Sequence, residues 1–388
     1  MLNYRGKYNS ANVMLSDAPD ETTVKQIYGF LNHPAFKGGY IAIMPDCHAG
    51  KGSCIGFTMS LNDYIIPAVV GVDIGCGVLA VDLQTDDLDF EKLDKWIREN
   101  VPCGFSTHGD GERNTRSLKR SRRENYVMLA AQTNQPAGRA LESLGTLGGG
   151  NHFIEVDRAP DGSYWLLVHS GSRNLGLKVA EYHQNEAKKL MKTMFHGDAY
   201  RGLEFLPRGH GFEAYLEDMT LAQEYAHVNR LMIASRVWAQ FLGRHKGVDG
   251  EGLLRLGGEG IVESVHNYIG DDSVIRKGAI SAHEGERVLI PLNMRDGVVV
   301  AVGKGSQKWN NSAPHGAGRV LSRTQAKKQL TVEDFKVAME GIWTSSVGPS
   351  TLDEAPGAYK PAEVILDVIG ETVDVEFTMK PVYNFKAS

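Results

Sequence analysis

Residues 66–78 read Ile66-Pro67-Ala68-Val69-Val70-Gly71-Val72-Asp73-Ile74-Gly75-Cys76-Gly77-Val78, or IPAVVGVDIGCGV. The run is apolar and rich in valine and isoleucine, which predicts a buried strand. An aspartate and a cysteine, three residues apart and framed by glycines, sit near its end. Cys76 is then either a small core residue or, with Asp73, half of a metal site, and spacing alone leaves both open.

The chain around it has 388 residues, enough for two domains or one large one. Its 42% hydrophobic and 23% charged residues are an ordinary globular composition with material for a large core. The 44 glycines fall in clusters and mark many tight loops. No apolar run approaches the ~20 residues that cross a bilayer. The start, MLNYRGKYNSANVML, lacks the basic-then-apolar order of a signal peptide. A soluble cytoplasmic protein with no membrane partner is expected, and there Cys47, Cys54, Cys76 and Cys103 do not make a disulfide framework. The net charge of −5 argues against nucleic-acid binding through bulk charge and leaves room for a local basic surface.

Patterning predicts a mixed architecture. Residues 86–100 form an amphipathic helix with acidic residues at its start, and 104–125 a polar loop or helix start. Strands cover about 152–156 and 164–168. Long helices cover 178–194 and 214–243, the second with Leu216, Met219, Tyr225, Val228, Met232, Trp238 and Leu242 at core-facing helical spacing. A β-rich stretch follows from 274 to 303, then helices over 317–328 and 332–341. Thr331 and Asp334 are placed for a capping box on the last of these. Val373, Val375, Phe377 and Met379 alternate as a half-buried strand. With no repeat or linker, and with possible metal ligands scattered from 73 to 315, one α+β domain over 1–388 is expected, central β-sheets flanked by helices.

Three histidines have suggestive settings. His152 lies between a glycine loop and a strand, His169 follows the strand YWLLV, and His266 follows apolar residues in VESVHNYIG. One thiolate, one carboxylate and several imidazoles suit a borderline transition metal, and a thiolate can bridge two ions. Phosphate-loop patterns fail: GVVVAVGKGS has the wrong gap and no Ser or Thr directly after its lysine, and GGGNH is not GxGxxG. In WNNSAPHGAGRVLSRTQAKK, His315 precedes Gly316-Ala317-Gly318 and a predicted helix that aligns Arg319, Arg323 and Lys327 on one face. A helix N-terminus beside arginines favours phosphate, and a neutral imidazole there can attack phosphorus. A solvated basic helix with a capping histidine is the other reading of those residues.

The blocks MPDCHAGKGS, GVDIGCG, LGTLGGGNHFIEV, HSGSRNLG, HNY, RKGA and APHGAGRVLSR stand in the order and spacing of RtcB RNA ligases, and from about residue 40 to Lys386 the chain resembles that family. The resemblance implies an RtcB-like fold. It implies an enzyme that uses GTP and manganese to join RNA ending in a 3′-phosphate or 2′,3′-cyclic phosphate to RNA with a 5′-hydroxyl, as in tRNA splicing or RNA repair. It implies two Mn²⁺ ions, one held by Asp73, Cys76 and His152 and one by Cys76, His169 and His266. It makes His315 the guanylylated residue. Asn151, Phe153, Glu155, Asn267, Pro291, Asn293, Met294, Gly316, Ala317, Gly318, Tyr359 and Lys386 match positions around the guanine nucleotide, and Arg173, Arg319 and Arg323 match arginines on RNA phosphates. Asp46 and His48 belong to a motif near the site without an assigned role. It names no particular RNA and no accessory activator.

The chain departs from the family pattern where relatives read Pro-Gly-Ser-Met with a serine four residues on. It has Pro291-Leu292-Asn293-Met294 and Val298, without the serine hydroxyls, and Asn174 replaces a glycine frequent after HSGSR. Residues 113–123, RNTRSLKRSRR, hold six basic residues in eleven. They read either as a solvated face or as an RNA contact, which would make binding fall with salt. A metal-dependent phosphodiesterase or phosphatase acting on RNA ends is the competing function, but it has no need of His315 in HGAG. A non-enzymatic RNA-binding protein leaves five metal-ligand candidates unexplained.

Overall fold

The computed structural model describes residues 1–85, 88–195, 200–242 and 260–387. Its organising element is an antiparallel seven-stranded sheet. In spatial order the strands are Ile261–Val265, Gly77–Asp82, Tyr164–Ser170, Phe153–Arg158, Val373–Lys386, Gly297–Gly303 and Arg287–Asn293. The sheet curls until its outer strands meet, where the Leu289 N–H donates to Ser264 Oγ at 2.8 Å. Its inner face is therefore dry, packed with Val78, Leu167, Leu289, Val300 and Met379. The outer face is covered by the helices Phe90–Asn100 and Phe212–Leu242, whose Leu93, Ile97, Leu231 and Val237 pack on Ile154, Val156 and Val168. Burial on both faces explains why these strands read as continuous apolar runs.

A second, six-stranded sheet carries Ile41–His48 and Ile55–Ser60 at its centre. It packs with the helices Glu21–Leu31, Arg173–Phe195 and Phe212–Leu242 in the largest core cluster. Mixed helix and sheet, with helices flanking the sheets, is the class expected from the patterning. Among the described residues no helix is long and apolar enough to cross a membrane.

Register places the site. Gly77 pairs with both Val265 and Ser170, and Phe153 pairs with both His169 and Lys386. Five strands thus end or begin along one rim, and the residues at or one step beyond that rim are Cys76, His266, His169, His152 and Lys386.

One turn of the long helix fixes that rim from behind. Asn229 accepts from the Gly145 N–H at 2.8 Å and donates to Ser170 Oγ at 2.9 Å and the Gly171 carbonyl at 3.3 Å. Fully buried Arg230 donates to the Gly75 and Ser170 carbonyls, both at 2.7 Å, and to Glu263 Oε1 at 2.6 Å.

Several expectations are corrected. Residues 66–78 are not one strand: Pro67–Val70 form a helical turn, and the strand starts only at Gly77. Pro67 is preset for a helix start, and Gly71 at φ +103° turns the chain out of it. The helix expected over 317–328 spans only Arg323–Gln329. Gly318 has φ +76°, and a Cβ there would strike the Asp46 carbonyl, while Ser322 and Gln325 form a full capping box that starts the helix later. Arg319 therefore lies outside the helix, and only Arg323 and Lys327 can share its face. At Val332–Ala338 the Thr331 cap accepts from the Asp334 N–H at 3.1 Å, but Asp334 takes the Thr331 hydroxyl rather than completing the box.

The last strand runs from Val373 to Lys386, and a register shift opposite Val300 and Ala301 leaves Val375 45% exposed instead of alternating inward. The 86–100 helix begins at Phe90, capped by Asp89; residues 86–87 lie outside the described residues, as do Gly243 and the side chain of Leu242. Within 104–125 the chain forms the short helix Gly111–Asn114 and enters Arg120–Gln132.

Replacing Arg230 by alanine leaves half-buried Glu263 with His227 as its remaining partner and frees two buried loop carbonyls. A stability loss of about 3–5 kcal/mol is expected, measured as a lowered denaturant midpoint.

Candidate active site

Cys76 Sγ lies 3.4 Å from His152 Nε2 and 3.3 Å from His169 Nε2, all three residues buried. Their donor atoms all lie within 4.8 Å of one another. Half-buried Asp73 joins this cluster through its Oδ2, 3.1 Å from His152 Nε2. His266 stands beside it, its ring 5.5 Å from that of His169 and 4.7 Å from that of His315.

The local chain explains these orientations. His152 Nδ1 sits 2.9 Å from the Leu147 carbonyl and His169 Nδ1 3.1 Å from that of Asn151. A carbonyl takes a proton from Nδ1, so each Nε2 keeps its lone pair for the cluster. Gly171 presses its backbone on Asp73, where a Cβ would collide with the carboxylate, and the Ser172 N–H donates to Asp73 Oδ1 at 3.2 Å. Asn267, at φ +65°, donates to the Asp73 carbonyl at 3.1 Å and accepts from the Gly278 N–H at 2.9 Å.

Charge states follow from burial. Burial, then the other histidines nearby, holds His169 and His266 far below their usual range, as neutral rings. Burial pushes the Cys76 thiol well up, with Asp73 adding to it. Burial would also raise Asp73, but adjacent His152 and the charge of Arg173 outweigh it and hold its carboxyl below the usual range. One sulfur, two or three imidazole nitrogens and a carboxylate are a donor set that fits a borderline divalent metal.

His315 occupies a loop, not a helix N-terminus. Its Nδ1 is 2.7 Å from Oδ2 of Asp46, which is fully buried and whose Oδ1 has no partner among the described residues. Lys360 holds the strand of Asp46 in place, donating to the Pro45 and Cys47 carbonyls at 2.8 and 3.0 Å. His315 also lines a cleft of about 1250 Å³.

That cleft is lined by Asn151, Phe153 and Glu155, by Pro291 to Met294, by His315 to Gly318, and by Arg319, Arg323, Tyr359 and Lys386. All expected nucleotide positions except Asn267 thus share one cavity. Leu292 turns into the core beside Ile280 and Ile290, and Val298 is buried in the sheet interior. Asn293 spends its amide on the turn, accepting from the Arg295 and Asp296 N–H groups at 3.0 Å. Burial raises Glu155 to about 7 and lifts Asp157 well above the usual carboxylate range, the latter helped by Glu155.

The cations of the cleft converge on Glu354, which is 2% exposed. Its Oε2 accepts from Lys386 Nζ at 2.8 Å and Tyr359 Oη at 2.6 Å, and its Oε1 from Arg323 at 2.5 Å and Arg319 at 3.3 Å. Burial works against the ionised form, but Lys386 and Arg323 prevail and bring Glu354 down to about 2. Arg173, at φ +55°, reaches Thr146 Oγ1 and His152 Nδ1 at 3.4 and 3.3 Å. Sequence reading missed Glu354 and left Asp46 without a role. A signal existed for Asp46 in MPDCHAGKGS; for Glu354, local pattern offers only an acidic pair before APGAY.

Comparison with known proteins covers most of the chain. The family model described as tRNA-splicing ligase RtcB matches residues 26–387. The RNA-splicing ligase RtcB of Escherichia coli K12 is 33% identical over 374 residues, covering 89% of this chain and 90% of that protein. The tRNA-splicing ligase RtcB of Aeropyrum pernix is 28% identical over 407 residues, covering 85% and 84%. That of Thermococcus kodakarensis is 27% identical over 404 residues, covering 86% and 84%.

Because Glu354 is depressed from 4.5 to about 2, its stabilisation is complete above about pH 4.5 and is lost as pH falls toward 2. The contribution is on the order of 3 kcal/mol. Glu354→Gln should lower stability at neutral pH and flatten the acid limb of a urea-denaturation series between those values.

Proposed function

The chain belongs to the RtcB family, and from that premise we propose that it is an RNA ligase joining a 3′-phosphate or 2′,3′-cyclic phosphate end to a 5′-hydroxyl end, with GTP and two Mn²⁺ ions. The observation that carries this reading is His315, bonded through Nδ1 to buried Asp46 and facing a cleft wide enough for a nucleotide.

With its Nδ1 proton donated to Asp46, the ring keeps the Nε2 lone pair as a nucleophile. Asp46 then stabilises the positive charge that grows on the imidazole during attack. Nε2 forms a bond to the α-phosphorus of GTP as pyrophosphate leaves. The GMP moves to an oxygen of the RNA 3′-phosphate, restoring His315. The 5′-hydroxyl next attacks that activated phosphate, losing its proton, and GMP departs. Lys386, Arg319 and Arg323 supply positive charge along this path, and Glu354 holds them in fixed positions.

Asp73, Cys76 and His152 would hold one Mn²⁺ and Cys76, His169 and His266 the other. Bound there, the ions neutralise charge on the reacting phosphates. The chain's own part is to keep the His169 and His266 rings neutral and to turn the Nε2 atoms of His152 and His169 toward Cys76. With Leu292 at the family's glycine and turn-forming Asn293 and buried Val298 at its serines, the base is left to Phe153, Glu155, Tyr359 and Lys386.

Incubation with α-labelled GTP and Mn²⁺ should transfer label to the protein. His315→Ala should abolish it, and Asp46→Asn should slow it by about a hundredfold. Label persisting in His315→Ala would overturn the assignment of the nucleophile, and wild-type protein that takes no label but cleaves RNA 3′-ends would favour a hydrolase. Cys76→Ala should lose both ions by metal analysis.

A further inference from the structure

The basic run 113–123 divides in the fold. Arg120 pairs with Glu124 and Arg122 with Glu224, both at 2.7 Å, and Arg123 pairs with Glu112. Arg113 and Arg116 have no ionic partner among the described residues. They line a second cleft of about 560 Å³, together with Arg236 and His108.

Arg236 is the unusual member. It is half-buried, and among the described residues no carboxylate meets it. Its Nη1 donates to His108 Nε2 at 2.8 Å and its Nη2 to Asn114 Oδ1 at 2.5 Å. Burial, then the charge of Arg236, holds His108 below its usual range, consistent with a neutral ring accepting that bond. Three guanidinium groups face one acid, Asp110, whose Oδ1 accepts the Arg113 backbone N–H at 3.0 Å. A concave site with excess positive charge and planar donors suits a phosphate.

The cleft is tied to the active site by a single loop. The guanidinium of Arg236 packs on Gly145, where a Cβ would touch it at 2.5 Å; that of Arg173 packs on Gly148; that of Arg323 lies 3.7 Å from the Cβ position of Gly150. Two residues later the loop delivers His152 to the Cys76 cluster. Gly145 and His152 can be no more than about 25 Å apart along seven residue steps. Arginines therefore follow the loop from the second cleft to the catalytic one.

We infer that the cleft of Arg113, Arg116 and Arg236 binds a backbone phosphate of the RNA strand whose end lies in the active site, a few nucleotides away. The inference rests on the ligase reading and adds a contact that the end chemistry does not require. An RNA phosphodiester is favoured over a free anion because the row of guanidiniums continues into the catalytic cleft.

The test is the full-length double variant Arg113→Gln/Arg116→Gln, with Arg236→Gln as a separate variant checked by thermal melting. For a 3′-phosphorylated RNA of about twenty nucleotides, affinity should fall about tenfold, and the log–log salt dependence should become shallower by about 0.7 for each phosphate no longer neutralised. Binding of a 3′-phosphorylated trinucleotide and labelling by α-labelled GTP should match wild type. Unchanged affinity and salt slope for the long RNA in the double variant would overturn the site. So would an equal loss for the trinucleotide, or arginine-dependent binding of inorganic phosphate that does not compete with the long RNA. Wild-type protein that neither takes label nor binds RNA would remove the ligase reading and this inference together; labelled, RNA-binding wild type with indifferent variants would remove the cleft alone.

Discussion

Asn229 and Arg230, adjacent on the longest helix, tie together every loop that brings a potential metal ligand to the site. Asn229 holds the loop leading to His152 and the chain after His169; Arg230 holds the residue before Cys76, the residue after His169, and Glu263 on the strand that leads to His266. The loops are glycine-rich and would otherwise have many conformations. A buried guanidinium whose Nε and Nη1 are bonded fixes them because leaving loop carbonyls unpaired in a dry interior is costly. The positions of Cys76, His152, His169 and His266 thus depend on two side chains that hydrogen-bond to none of them.

The large cleft beside His315 shows the same principle in its charges. Several cations lie where polyanionic substrates are expected, and unrestrained they would repel one another. Glu354 gathers Lys386, Arg319 and Arg323, while Tyr359 gives it a further hydrogen bond. Asp46 plays the corresponding part for His315, fixing which ring nitrogen carries the proton. In each case a buried acid sets the geometry of a group that faces the cleft.

Local pattern was a good guide where one physical signal dominates. The strands around HFIEV and YWLLV and the helix with Tyr225, Val228 and Met232 lie close to where periodicity put them, because each buries a long apolar face. It failed where a short-range contact competes with propensity. The valines of 66–70 suggest a strand, yet Pro67 and Gly71 impose a helical turn. The segment after His315 has helical spacing, yet the close approach of Gly318 to Asp46 delays the helix to Arg323. The basic run 113–123 looks uniform, and only the packing of its helices decides which arginines meet acids and which face a cleft.

The sequence by itself determined the mixed fold class, the family, and the residue types able to hold a metal or attack phosphorus, since those are carried by composition, order and short motifs. It could not determine that Asp46 meets His315 across 269 residues, that Glu354 gathers the cleft's cations, or that Asn229 and Arg230 anchor the ligand loops. Those facts belong to the tertiary structure because they depend on strand register and helix packing. Both are set by the burial of whole surfaces, and no local stretch of chain records them.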